Sequence, residues 1–221
     1  ITNLNEAPVI TSNGGGATAS VSLTETSTYV GMVSATDPEN NPRTYSIVGG
    51  ADAAEFAITA SGGILTFITG PKFEAPGDAN GDNVYEVISA ASDYSLADTQ
   101  TINVTIRNVN ETPVVTSPGS FSVAENTLAV GTITGTDVDS PALTYLITGG
   151  VDAARFTINA ATGALSFVAN PNFEAPSDVG INNVYNITIG VRDGALTTSQ
   201  SVAITVTNVN ETPTITSNGG G

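Results

Sequence analysis

A six-residue phrase occurs three times in this chain of 221 residues: Asn3-Leu4-Asn5-Glu6-Ala7-Pro8, Asn108-Val109-Asn110-Glu111-Thr112-Pro113 and Asn208-Val209-Asn210-Glu211-Thr212-Pro213. From Glu25 onward the text between copies aligns at a constant offset of 100. Gly49-Gly50-Ala51-Asp52 answers Gly149-Gly150-Val151-Asp152, and Phe73-Glu74-Ala75-Pro76 answers Phe173-Glu174-Ala175-Pro176. A chain with this period is a tandem of like domains, each long enough to bury its own core. The boundaries follow: a linker at 1–7, a first domain at 8–107, a linker at 108–112, a second domain at 113–207, then a linker and the start of a third repeat at 208–221. The ending Ile215-Thr216-Ser217-Asn218-Gly219-Gly220-Gly221 copies Ile10 to Gly16, which reads as a piece of a longer array. The first repeat is five residues longer before its Glu, in the Gly14 to Ala19 stretch, an insertion with no obvious chemistry.

Local patterns are short and alternate polar with apolar, as in Thr101-Ile102-Asn103-Val104-Thr105-Ile106 and Ser201-Val202-Ala203-Ile204-Thr205-Val206. They predict strands with one face buried. Gly, Pro, Asn and Asp punctuate them, and no segment sustains a 3.6-residue period. Roughly six to eight strands per domain predict an all-β fold, two tandem Greek-key β-sandwiches of immunoglobulin-like architecture. The Ala-rich turns after Asp52 and Asp152 predict at most a helical turn. Phe56, Phe67, Phe73 and Tyr85 recur 100 residues later as Phe156, Phe167, Phe173 and Tyr185, which marks them as core. Tyr29 and Tyr94 face Ala129 and Gly194 in the second repeat, so they are the candidates for exposed rings.

Acidic residues outnumber basic ones 21 to 5, for a formal net charge of -16. Nucleic acid and bare anionic membranes are poor partners for such a chain, because both need clustered Lys and Arg. Metal cations suit it. There is no Cys and no His, which removes disulfides and Cys/His zinc sites, and with them the usual acid–base and nucleophilic groups of an enzyme. No apolar run is long enough to span a membrane.

The acids fall at matching points of the two repeats: Glu25 and Glu125, Asp37-Pro38-Glu39 and Asp137-Val138-Asp139, Glu74 and Glu174, Asp93 and Asp193. Together with the Asn-x-Asn-Glu-x-Pro linker they form five ordered phrases that occur twice. This arrangement resembles the cadherin repeat, and specifically the divergent cadherin-like repeats of bacterial surface and secreted proteins. The resemblance covers nearly the whole chain.

Carried over residue by residue, the resemblance implies calcium where the two repeats join. Glu25 and Glu74 would come from the first domain, Asn108, Asn110 and Glu111 from the linker, and Asp137, Asp139 and Asp193 from the second domain. The carbonyls of Val109 and Thr112 would add to the set. Half-sites would remain at the ends, Asn5, Asp37, Glu39 and Asp93 at one, Glu125, Glu174, Asn208, Asn210 and Glu211 at the other. Calcium takes about 6 to 8 oxygen ligands, so two ions need about 12 to 16. The six carboxylates, two amides and two carbonyls of the junction can supply roughly that number. Without metal, adjacent carboxylates repel by up to roughly 4 kcal/mol per pair at 4 Å and intermediate dielectric. The family's Asp two residues before the Phe-Glu glutamate is replaced by Lys72 and Asn172, and its first linker Asp by Asn108. These losses of charge favour about two ions over three.

The function these features imply is a calcium-binding, calcium-rigidified adhesion or spacer module of a larger extracellular or cell-surface protein, and not an enzyme. The alternative is a calcium-dependent carbohydrate-binding module of a polysaccharide-degrading system. The absence of Trp counts against it. The expected partners are calcium, then cell-surface polysaccharide or another copy of the array, with neither nucleic acid nor membrane insertion.

Overall fold

The computed structural model describes residues 4–213. The expected opening of a third repeat, residues 214–221, lies outside them. The chain divides into two compact units, Ile1–Val109 and Asn110–Gly221.

In the first domain the strands are β1 (Val9–Ile10), β2 (Thr18–Thr24), β3 (Tyr29–Met32), β4 (Ala35–Thr36), β5 (Thr44–Gly49), β6 (Phe56–Ile58), β7 (Ile64–Phe67), β8 (Val84–Ser92) and β9 (Ala97–Arg107). The second repeats them as β10 (Val114–Val115), β11 (Ser120–Ala124), β12 (Ala129–Thr132), β13 (Gly135–Thr136), β14 (Thr144–Gly149), β15 (Phe156–Ile158), β16 (Ala164–Phe167), β17 (Val184–Arg192) and β18 (Thr197–Thr207). Each domain has a four-stranded sheet, ordered β2-β9-β8-β5 or β11-β18-β17-β14, and a three-stranded sheet, β3-β7-β6 or β12-β16-β15. The remaining two short strands pair as β1-β4 and β10-β13. The chain crosses between sheets after β2 and again after β5, which gives the sandwich its non-sequential order. Single turns of 3-10 helix follow Asp52 and Asp152, at Ala53–Glu55 and Ala153–Arg155.

Alternation places the core as expected. Val87, Ile102, Val104 and Ile106 of β8 and β9 are buried, and so are Ile187, Val202, Ile204 and Val206. The recurrent rings pack on one another between the sheets. Phe56 and Phe67 lie 4.3 Å apart, with Tyr85 edge-on to Phe67 at 5.0 Å. Phe156, Phe167 and Tyr185 repeat this at 4.4 and 5.2 Å. Such offset and edge-to-face contacts suit the ring quadrupole. Phe73 and Phe173 pack partly buried against the same clusters. Tyr29 and Tyr94 are exposed, as their lack of an aromatic counterpart predicts.

Strand direction determines where the acidic phrases end up. β2 and β9 are parallel, so Glu25 and Asn108, which follow them, emerge at one end of the four-stranded sheet. β8 and β9 are antiparallel with Ser92 opposite Ala97, so Asp93 emerges at the other end.

Candidate metal centres at the strand ends

At the C-terminal end of the first domain, Glu25 ties two segments to the sheet. Its Oε1 accepts the Val109 N–H at 2.8 Å and its Oε2 the Phe73 N–H at 3.3 Å. The Glu25 and Glu74 carboxylates each place an oxygen within 4.8 Å of the other. The Asn108 amide donates to Glu74 Oε1 at 2.9 Å. The second domain copies these bonds: Glu125 accepts Val209 and Phe173 N–H at 2.8 and 2.9 Å, and Asn208 donates to Glu174 Oε1 at 2.6 Å. Asn126 adds a bond from its amide to Glu211 Oε1. The two backbone donors, Phe173 first and then Val209, hold the Glu125 carboxyl below its ordinary value.

The N-terminal ends are equally matched. In the first domain Asp37 Oδ1 caps its own turn, accepting the N–H groups of Glu39 and Asn41. Asn5 donates its amide to Asp93 Oδ2 at 2.7 Å, and Glu6 N–H reaches Glu39 Oε2. In the second, Asp137 Oδ1 accepts from Asp139 and Ser140, Asn110 donates to Asp193 Oδ2 at 2.7 Å, and Glu111 N–H reaches Asp139 Oδ2. The other Asp93 and Asp193 oxygens cap the following turns at Ser95 and Leu96, and at Ala195 and Leu196.

The two turn aspartates carry the strongest chemical signal. Asp37 is only 9 % exposed, and its Oδ2 is buried without a hydrogen-bond partner. Asp137 Oδ2 is in the same condition. A buried anionic oxygen with no donor is costly, because it has lost water and gained nothing. The same orphan appears at the same point of both domains. An oxygen-loving cation would satisfy it; the side chains bonded together at the same ends are carboxylates and amides, which belong to calcium's preferred set.

One feature differs from the expected ligand set. Asn5, Asn108, Asn110 and Asn208 all turn their NH2 groups toward carboxylates. An amide donates from nitrogen but ligates through oxygen, so each side chain must make a half-turn to bind a cation. Asn210, Val109 and Thr112 are exposed.

Acids elsewhere have a different task. Both oxygens of Asp78 accept backbone N–H groups, from Asp82 and Asn83, as both oxygens of Asp178 do from Asn182 and Asn183. These side chains cap a loop. Asp52 and Asp152, which sequence reasoning passed over, likewise staple the loop and strand β8 or β17. Asp52 accepts from Ala79 and Glu86, and Asp152 from Val179 and Asn186. Their recurrence after Gly-Gly was the available signal. Asn41, which donates to Asn5 Oδ1, was also missed.

No family model matches the chain. Among curated proteins, Cadherin-99C of Drosophila melanogaster is 29% identical over 181 residues, 77% of this chain and 10% of that protein. Protocadherin Fat 4 of Mus musculus is 30% identical over 195 residues, 83% of this chain and 4% of that protein. The chain therefore spans a tenth or less of the length of these relatives. Human Protocadherin-24 EC1-2, in its Form II crystal structure, matches at a TM-score of 0.63 and 21% identity, covering 93% of this chain and all of that one. The two domains are cadherin-repeat-like β-sandwiches. Both relatives named are animal proteins, so the similarity carries the repeat and not the bacterial source expected from the sequence.

Proposed function

We propose that this chain is a calcium-binding, calcium-stiffened adhesion or spacer module of an extracellular or cell-surface protein. The observation that carries the reading is the pair of buried, partnerless oxygens, Asp37 Oδ2 and Asp137 Oδ2. Asn5, Asp37, Glu39 and Asp93 form one end set and Asn110, Glu111, Asp137, Asp139 and Asp193 its counterpart. Glu25, Glu74 and Asn108 form the opposite set, repeated by Glu125, Glu174, Asn208 and Glu211. Asn210 and the Val109 and Thr112 carbonyls complete the proposed ligands.

Calcium when bound supplies the positive charge that these carboxylates otherwise lack. The chain's own residues do the positioning. Glu25 and Glu125 hold the linker through Val109 and Val209, so the backbone that enters each linker is already registered to the sheet. Two prolines, Pro8 and Pro113, are buried where a linker enters its next domain, which restricts it further. No helix among the described residues is long and apolar enough to cross a membrane.

Calorimetric titration with calcium, paired with limited proteolysis in calcium and in chelator, tests the proposal. The expected result is binding of about two ions at the linker, with cleavage between Asn108 and Pro113 only in chelator. No binding at millimolar calcium would overturn it.

A further inference from the structure

In each domain the first long strand lies beside the last and runs parallel to it. Tension on the chain pulls the first strand toward its N-terminus and the last toward its C-terminus. Parallel neighbours pulled this way slide past one another, and all their ladder hydrogen bonds bear the load together. An antiparallel hairpin pulled at its open end gives up its bonds one at a time instead.

The two domains are not equally equipped for this load. β2 pairs with β9 over seven positions, from Thr18 opposite Thr101 to Thr24 opposite Arg107. β11 pairs with β18 over five, from Ser120 opposite Ala203 to Ala124 opposite Thr207. The extra pairs in the first domain, at Thr18 and Ala19, lie at the N-terminal end of β2, within the Gly14 to Ala19 stretch in which the first repeat is five residues longer. That end is further secured by side chains. Asp98 Oδ2 accepts the Ile10 N–H at 2.8 Å, and the buried Gln100 amide donates to the carbonyls of Ser12 and Gly16 at 3.3 and 2.8 Å. Thr198, which has no carboxylate, stands where the first domain has Asp98.

We infer that the two domains are graded force-bearing elements: the second yields first under tension, and the insertion with Asp98 and Gln100 is the device that strengthens the first. The inference rests on the reading of the chain as a load-bearing adhesion or spacer module. It gives a role to a segment that ligand chemistry leaves unexplained. Under an overload the array would lengthen by losing the second domain while the first stays folded.

Single-molecule pulling on the whole chain, tethered at both ends, tests this. A stretch of about 20 Gly and Ser residues inserted between Pro141 and Ala142, an exposed turn, marks the second domain by adding about 70 Å to the length it releases. In both calcium and chelator the lower-force event should carry the added length. At equal force the second domain should unfold on the order of tenfold faster, as expected if two ladder hydrogen bonds are missing from the rupture. D98T, which copies the second domain, should lower the rupture force of the first domain and leave that of the second unchanged. The added length on the higher-force event, or equal forces for the two domains, overturns the inference. Calcium separates the two ideas: forces identical in calcium and chelator would sink the stiffening proposal and leave the ranking of the domains standing.

Discussion

The turn at Asp37-Pro38-Glu39 and the turn at Asp137-Val138-Asp139 differ at two of three residues, yet each gives the Oδ1 of its first aspartate two backbone N–H groups, the residue two further on among them, and leaves the same oxygen without a partner. The sides of the two domains show the reverse. Phe121 lies over Gly131 in the second domain, whereas Val21 stands at the matching position in the first, where the space above Gly31 is open. Tyr29, Met32 and Ile64 are exposed on the outer face of the three-stranded sheet where the second domain has Ala129, Thr132 and Ala164. The main bonds at the ends recur while packing and surface on the flanks vary. A fold can tolerate such variation where neighbours repack, but the proposed ligand set at a strand end would have a fixed geometry to meet.

The largest expected effects test the shared skeleton. Gly63 and Gly163 have φ of +63° and +72°, and a Cβ added there would lie 2.0 and 2.1 Å from the carbonyl oxygens of Val33 and Ile133. Neither backbone can retreat, because Gly63 and Gly163 themselves accept from the N–H groups of Val33 and Ile133. Gly63→Ala and Gly163→Ala should each destabilise their domain by about 3 kcal/mol, read from urea unfolding. A mild effect in only one domain would break the equivalence.

The turn aspartates come next. Asp37→Asn and Asp137→Asn should weaken calcium binding by roughly tenfold or more, about 1.4 kcal/mol. In chelator the sign should reverse. Each change removes a carboxylate charge whose Oδ2 has no donor, so the apo domain should gain about 1 kcal/mol. Loss of stability in chelator would mean that the orphaned oxygen is satisfied in the metal-free protein, and the observation carrying the calcium reading would fall.

A smaller effect separates the flanks. Gly131→Ala forces the Phe121 ring, 2.7 Å from the new Cβ, to shift, and should cost about 1 kcal/mol. Gly31→Ala meets nothing within 4 Å and should be neutral or stabilising by up to about 0.5 kcal/mol. Equal effects by thermal unfolding would show that the ring is not seated as described. Tyr94 makes a similar contrast at a domain end. It holds φ +78° and is 75 % exposed where the second domain uses Gly194. Tyr94→Gly should relieve the strained backbone and stabilise the first domain by about 0.5 kcal/mol.

Much of this was legible in the sequence. The alternation in Thr101 to Ile106 and in Ser201 to Val206 marks long strands, and the fixed offset of Phe56, Phe67 and Tyr85 marks the core. The grouping of Asn5 with Asp93, and of Asn108 with Glu74, follows from the resemblance and reappears as direct hydrogen bonds. What could not be read was which carboxylates serve the backbone. Asp78 caps a loop, while Asp37 caps a turn and also keeps an oxygen in reserve; both are aspartates in polar loops, and only the count of donors around each separates them. The same limit hid Asp52 and Asp152, whose partners lie 27 and 34 residues away in the chain. The orientation of the linker amides was equally invisible, because Asn offers a donor and an acceptor of nearly the same shape.

The finest contrast lies between two carboxylates that look alike. Asp93 and Asp193 are both held below their ordinary value of 3.8. For Asp93 the first cause is the Leu96 N–H, with the Asn5 amide second. For Asp193 the Asn110 amide leads, and the Leu196 and Ala195 N–H groups contribute less. A lowered folded value means that the unfolded chain takes up protons first on acidification. The stability these groups contribute is therefore full above the ordinary value and is lost as pH falls through the lower folded one. In chelator, acid unfolding followed by a probe in each domain should show losses beginning below about pH 4. Asn110→Ala should move the acid loss of the second domain to higher pH by more than Asn5→Ala moves that of the first, since Asp93 keeps its leading donor. Equal displacements would mean that backbone turns alone set both carboxylates. The linker asparagines would then matter only once metal is bound.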